Sequence, residues 1–418
     1  MPRKLFVHPV ITGAIAAYVN ASPINTQGQR REGLRENIVE TKKFVAKDGR
    51  GLSFYASGAC IRRILRETLY EYYDWNRSPV TVVAKGGRKQ VEPEEVELPL
   101  EDEDEETKAM AATTAHTEGN PFTYEDDDAF GFFIPQKKEG ARFRQAPFRL
   151  NSAESLPQAG VVFREQRTMS AHLMGDGRGE RESGQVFHPI LYEVEVPAGP
   201  VSFTFALSLK NVGVFTCGKR GEVTEEMYKA AKAAGLIEKE TTWGSHGKQV
   251  WLTKEERLRR IGDILMALQE LNGGANQTRH LNDFRPRAIV AAVIDGGQAL
   301  LQHSFIPSGN PSKPVNIRLE FLANRIKQYL KPFPFSCMEG SAHQNGVSMA
   351  GVFYRHPASG KCVFIGDCDF INNKGEVRKV VESDPILREI VAFEEGVREV
   401  LERCYEIAKH LIERNIPW

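Results

Sequence analysis

The chain has 418 residues, is 41% hydrophobic and 26% charged, and balances 55 basic against 55 acidic side chains. This is the composition of an ordinary soluble globular protein of two or three domains, without the ~20-residue apolar run that a membrane-spanning helix needs. The neutral total is an average over segregated charge: residues 29–66 hold ten Lys/Arg against four Asp/Glu, and residues 92–106 hold ten acids and no base.

In chain order, Met1-Pro2-Arg3-Lys4 leads into a stretch interrupted by His8, Pro9 and Thr12, which reads as the start of a strand over 5–20, not as a signal peptide. Asp48-Gly49, flanked by residues 40–47 and 50–55, is a hairpin signal. Ser57-Gly58 then opens an amphipathic helix over 59–75, with Ile61, Leu65 and Leu69 on one face and Arg62, Arg63 and Arg66 on others. From 76 to 185 the pattern degrades into short strands, the acidic run, the Ala/Thr-rich stretch 109–115 and a Gly-rich tract at 175–179, with disorder expected near 100–120. Two strand-like runs follow, 186–196 and 201–209, joined by Pro197-Ala198-Gly199-Pro200 read as a turn. A charge-rich excursion at 213–252 carries a short helix at 225–234. An amphipathic helix covers 253–271 and ends at Gly273-Gly274, and an apolar strand covers 288–294. A helix is expected at 314–330, strands near 347–355 and 361–366, and one long helix from 384 to 413. Without its excursions the order is strand, helix, paired strands, helix, strand: an α+β fold with the ferredoxin-like or RNA-recognition-motif connectivity.

The chemistry-bearing residues point to binding. A helix start presents unpaired N–H groups and partial positive charge, and arginines beside it suit a run of anions such as a polynucleotide backbone. The alternative for any one arginine is a solvated helix face. Gly273-Gly274 allows close approach of a backbone, and also suits a plain helix cap. Gln277, Arg279 and His280 follow it as hydrogen-bond donors to phosphate or sugar. Within 213–252, Phe215, Lys219, Arg220, Trp243, His246 and Lys248 mix aromatics with bases, and Trp243 at a loop tip is either a stacking wedge or a packing residue. The six cysteines form no Cys-x-x-Cys pair and read as buried thiols; no metal or other cofactor is expected. Asp126-Asp127-Asp128 is assigned to a turn or to a neighbouring subunit's basic face in preference to a cation, and residues 213–252 contain no Asp.

Several segments resemble one family. Tyr55-Ala56-Ser57-Gly58 with Arg62-Arg63 and Leu65-Arg66, Asp126-Asp127-Asp128-Ala129-Phe130-Gly131-Phe132-Phe133, Arg144-Gln145-Ala146-Pro147-Phe148, and Leu271 through Arg279 to Asp283 and Pro286 are similar to the DevR-type RAMP proteins, the backbone subunits of type I (I-B-like) CRISPR Cascade complexes. The resemblance implies a right-hand architecture: an RNA-recognition-like palm (1–75, 186–212 and 253–300), an inserted fingers region (76–185), a protruding thumb (213–252) and a C-terminal extension (301–418). It implies a non-catalytic, cytoplasmic ribonucleoprotein subunit that polymerises along a CRISPR RNA (crRNA). Its partners would be that RNA, the target DNA strand paired to it, further copies of itself, and the large, cap and repeat-processing Cascade subunits, with no membrane involved. The residues expected against RNA are Lys42, Lys43, Ser57, Arg62, Arg63, Arg66, Lys219, Arg220, Trp243, Gly273, Gly274, Gln277, Arg279 and His280. The competing readings are a RAMP-type endoribonuclease using His280 or His246, and a DNA-binding regulator.

Overall fold

Pro9–Val19 is the middle strand of the largest sheet, because its side chains are apolar or small on both faces. The computed structural model describes residues 8–21, 26–32, 35–45, 52–84, 87–91, 114–135, 141–169, 190–218, 221–242, 247–271, 283–296, 299–330, 349–350 and 352–414. On one side Pro9–Val19 pairs antiparallel with Ala288–Asp295, and on the other with the C-terminal half of Ile190–Ser208. Phe148–Leu150 and Ala153–Ser155 pair antiparallel with the far edge of Ile190–Ser208. Leu52–Ala56 and then Lys43–Val45 extend the sheet beyond them. Strand, helix, two strands, helix, strand is therefore the connectivity of this mixed α+β unit, and all four main strands alternate in direction.

Both faces of the sheet carry packed elements over its central strands. Ile11, Ile15, Phe203, Phe205, Ile289 and Val293 point to one side, where Gly58–Tyr72, Lys254–Gln269 and Val397–Glu413 bury their apolar stripes. Val10, Ala14, Ala16, Val290, Ala292 and Ile294 point to the other, under Leu300, Leu301, Phe305, Leu322, Ile326 and further C-terminal residues. A smaller lobe is built from Val214–Cys217, Lys248–Leu252 and Ile237–Thr242, in that spatial order, with the helix Glu225–Ala233. Its core comprises Phe215, Val223, Tyr228, Val250 and Leu252, and takes in Phe122 from the preceding insertion.

Several expectations need correction. Residues 186–196 and 201–209 are not a hairpin pair: Ile190–Ser208 is one 19-residue strand running through Pro197 and Pro200. Its N-terminal part pairs with Val161–Met169 and its C-terminal part with Pro9–Val19. The prolines, which lack an N–H, sit where the strand exchanges partners. The second main strand is instead supplied by 148–155. The single helix over 384–413 is three elements, Pro385–Ile390, Val391–Glu394 and Val397–Glu413, because residues 391–394 pair parallel with Val363–Asp367. The helix expected from 314 begins at Leu319, since Val315–Ile317 pairs with Phe305–Pro307. Thr114–Thr117, inside the stretch read as disordered, pairs with Val80–Ala84. The acidic run at 92–106 lies outside the described residues.

Gly131 ends the short helix Glu125–Phe130 at φ 72°, and an added Cβ would lie 2.8 Å from the Ala146 nitrogen and closer still to the Arg144 carbonyl. Both obstacles are backbone. Gly131→Ala is therefore expected to cost about 2–4 kcal/mol, read as a lower urea midpoint at an unchanged slope.

Candidate nucleic-acid interface

Ser57 caps the helix Gly58–Tyr72 with extended backbone (φ −63°, ψ 152°), and its Oγ accepts from the Cys60 N–H at 3.3 Å. The first turn contains no acid, so nothing there offsets the positive end of the helix. Gly58 is closely approached by its neighbour: an added Cβ would lie 3.0 Å from the Leu150 carbonyl oxygen and 3.5 Å from the Asn151 backbone. The helix start is thus held against the 150–151 corner of the adjoining strand.

Around it the expected cations divide into two groups. Arg62 is half-buried, and burial followed by the like charge of Arg66 holds its guanidinium below the ordinary arginine range. Two adjacent cations with no carboxylate across from Arg62 among the described residues form an arrangement that an anion would relieve. Lys42 and Arg63 both act on Cys60 at the helix start, where burial nevertheless pushes the thiol pKa up. Lys43, Arg63 and Arg66 also have partners within the protein. Lys43 Nζ bonds both oxygens of Glu195, at 2.8 and 2.7 Å, and Arg63 Nε bonds Glu67 at 2.9 Å from an exposed position. Arg66 lies over the Phe130 ring at 4.5 Å, with its Nε lacking a hydrogen-bond partner. Lys219, Arg220, Trp243, Gly273, Gly274, Gln277, Arg279 and His280 lie outside the described residues, as does His246.

The Asp triplet is internal, which corrects its assignment to a turn or a neighbour's basic face. Asp126 accepts from the Tyr70 hydroxyl at 2.7 Å; Asp127 accepts from Ser78 Oγ and from the Asn120 N–H, both at 2.9 Å. Asp128 is fully buried between two guanidiniums, Arg144 and Arg260, and also accepts from the Gly213 N–H at 2.9 Å. Arg144 continues into the small lobe, donating to the carbonyls of Asn211 (2.7 Å) and Val214 (3.0 Å) and to Glu222 (2.9 Å), with its plane 4.6 Å from the Phe215 ring centre. Sequence reasoning missed this hub. Its signal was present: Arg257 and Arg260 stand within the apolar stripe of Lys254–Gln269, where arginine is buried only with partners.

Through Tyr70, Arg66 and Phe130, the same short helix 125–130 ties the basic helix to the base of the small lobe. Burial, and then the neighbouring charge of Asp127, push Asp126 up to about 6. An acid raised in the folded state holds its proton to higher pH than in the unfolded chain, so its contribution falls as pH rises from about 4 through about 6. Asp126→Asn keeps an acceptor for Tyr70 and is expected to gain about 2 kcal/mol over the native chain between about pH 4 and about pH 7. Paired urea titrations at the two pH values measure that difference.

A family model described as "CRISPR-associated negative auto-regulator DevR/Csa2" matches residues 14–306. A comparison with curated proteins returns no match. Among solved structures, a chain of a "CRISPR RNA-guided surveillance complex, pre-nicking" aligns over 96% of this chain and 99% of its own, at 10% identity and a TM-score of 0.45. A chain of a second "CRISPR RNA-guided surveillance complex" aligns with the same coverage and identity at a TM-score of 0.41. The family match spans the basic helix, the Asp triplet, the small lobe, the second half of Pro9–Val19 and the other three main strands of the sheet, and on it the chain belongs to the CRISPR-associated DevR/Csa2 family.

Proposed function

We propose that the chain is a non-catalytic, RNA-binding backbone subunit of a CRISPR surveillance complex, with copies aligned along one crRNA and supporting recognition of the target DNA strand. In this reading the strand-order unit built on Pro9–Val19 is the palm, residues 76–185 are the fingers, and the lobe at 213–252 is the thumb. The observation that carries it is the uncompensated helix start: Ser57 caps it, Arg62 and Arg66 lie side by side, and Lys42 and Arg63 flank Cys60. Phosphates running past that turn would meet N–H groups and cations with no acid in the first turn of the helix, the nearby Glu67 being bonded to Arg63. Such contacts position a strand without reading its sequence, as a guide-holding subunit requires.

The engagement of the Asp triplet with Tyr70, Ser78, Arg144 and Arg260 supports the non-catalytic part, since those carboxylates already serve the fold. A salt titration of purified chain with a single-stranded RNA tests the reading. The expected slope of log affinity against log salt is about −0.7 for each neutralised phosphate. RNA should also drive the chain into larger species on size exclusion. The family's description as an auto-regulator makes duplex operator DNA the competitor to include: preference for duplex would favour a regulator. Magnesium-dependent or independent cleavage of labelled repeat RNA would favour a nuclease.

A further inference from the structure

The second face of the sheet is not covered along its whole width. Under the C-terminal segment it is Ala and Val, but toward the Leu52–Ala56 edge it changes to Ser53, Glu154, Ser202 and Thr204, and there a cavity of about 230 Å³ opens. Half-buried Phe44, together with Phe305, Gln302, His303 and Arg318, lines it. The mixture is mostly apolar surface with a few polar groups, and the volume suits one planar heterocycle with part of its sugar.

The position is informative. Asn151 lines this cavity and is also the residue against which Gly58 packs, so the cavity and the helix start share one wall. Asn151 Oδ1 accepts from the Thr204 N–H at 2.6 Å, and its amide NH₂ group makes no further hydrogen bond among the described residues. His303 is exposed and held at φ 64°, a left-handed conformation uncommon outside glycine. Glu154, exposed at the rim, disfavours a phosphate inside but can accept from an exocyclic amino group. Sheet faces of RNA-recognition modules stack bases on aromatic side chains; here, among the described residues, this part of the face is open, and half-buried Phe44 stands on it.

We propose that this cavity receives a single unstacked nucleobase, with Phe44 against its face and the amides of Asn151 and Gln302 on its edge. The proposal rests on the RNA-binding reading above for the strand as the source of the base, while a free nucleotide is the other source. Two arms distinguish them. In one, 2-aminopurine is placed at successive positions of a short RNA bound to the full chain; in the other, nucleoside monophosphates are titrated by saturation-transfer NMR. Expected is a fluorescence change of about twofold or more at particular positions, lost in Ser202→Trp, which fills the cavity, and in the exposed-turn variant Gln302→Ala/His303→Ala. Strand affinity should change less than about threefold in both, because phosphate contacts dominate it. A bound strand with position-independent fluorescence, or a signal unaltered in both variants, overturns the cavity assignment and leaves the backbone reading standing. Failure to bind the strand overturns the backbone reading; the cavity assignment then stands if monophosphates bind the native chain and not Ser202→Trp, and falls if they do not.

Discussion

Asp128→Ala is expected to destabilise the protein by about 3–5 kcal/mol, the usual cost of leaving a buried charge without its partner. Two guanidiniums depend on that one carboxylate. Arg260 is 2% exposed and Arg144 is 4% exposed, so neither can turn to water when Asp128 is removed. Arg260 retains Glu256 and the Pro121 carbonyl, and Arg144 retains Glu222 and three carbonyls, so the chain loses compensation without losing every bond. Urea unfolding followed by circular dichroism measures the loss. Tryptophan fluorescence should show the small lobe loosening first, because Arg144 holds its base at Asn211, Val214 and Glu222. An unchanged midpoint would mean that the two arginines find other acceptors.

Lys42→Glu with Arg62→Glu is expected to weaken single-stranded RNA binding by about a hundredfold or more at moderate salt, with RNA-driven assembly lost on size exclusion. The pair is chosen from the structure. Arg66 would be a poor choice because its guanidinium packs on Phe130, and Lys43 because it neutralises Glu195, so replacing either mixes folding with binding. Lys42 and Arg62 have no such carboxylate among the described residues, and their reversal should leave the unfolding free energy within about 1 kcal/mol of the native chain. The salt slope should fall by about 1.4 for the two phosphates lost. Retained assembly in a folded double variant would remove the helix start from the RNA path.

The elements that were legible in the sequence are those whose periodicity is set locally. Ile61, Leu65 and Leu69 mark one helix; Ser57 and Thr253 cap two, accepting from the backbone N–H three residues on. Val290, Ala292 and Ile294 alternate with Ile289, Ala291 and Val293 across a doubly covered strand, which a continuous apolar run announces. Partner exchange was not legible. Pro197-Ala198-Gly199-Pro200 has the composition of a turn, and only the distant strands 9–19 and 161–169 keep it extended. The break near 391–396 likewise depends on a parallel neighbour almost thirty residues earlier. For the candidate site, residue type and clustering singled out the basic helix, but side-chain pairing decides which cations are available. Glu195, more than a hundred and fifty residues from Lys43, gives no sign of that role in the sequence. The cavity beside Asn151 is a property of where covering stops, which no local pattern records.

The family match closes at residue 306, yet Ile317, Leu322, Ile326, Phe353 and Ile365 seal one side of the sheet, and Val400, Leu401 and Ile407 seal the other. The matched portion is consequently not a self-sufficient folding unit. A shortened version ending at that point would expose two greasy surfaces at once and should be handled as insoluble material, whatever its ability to hold a guide.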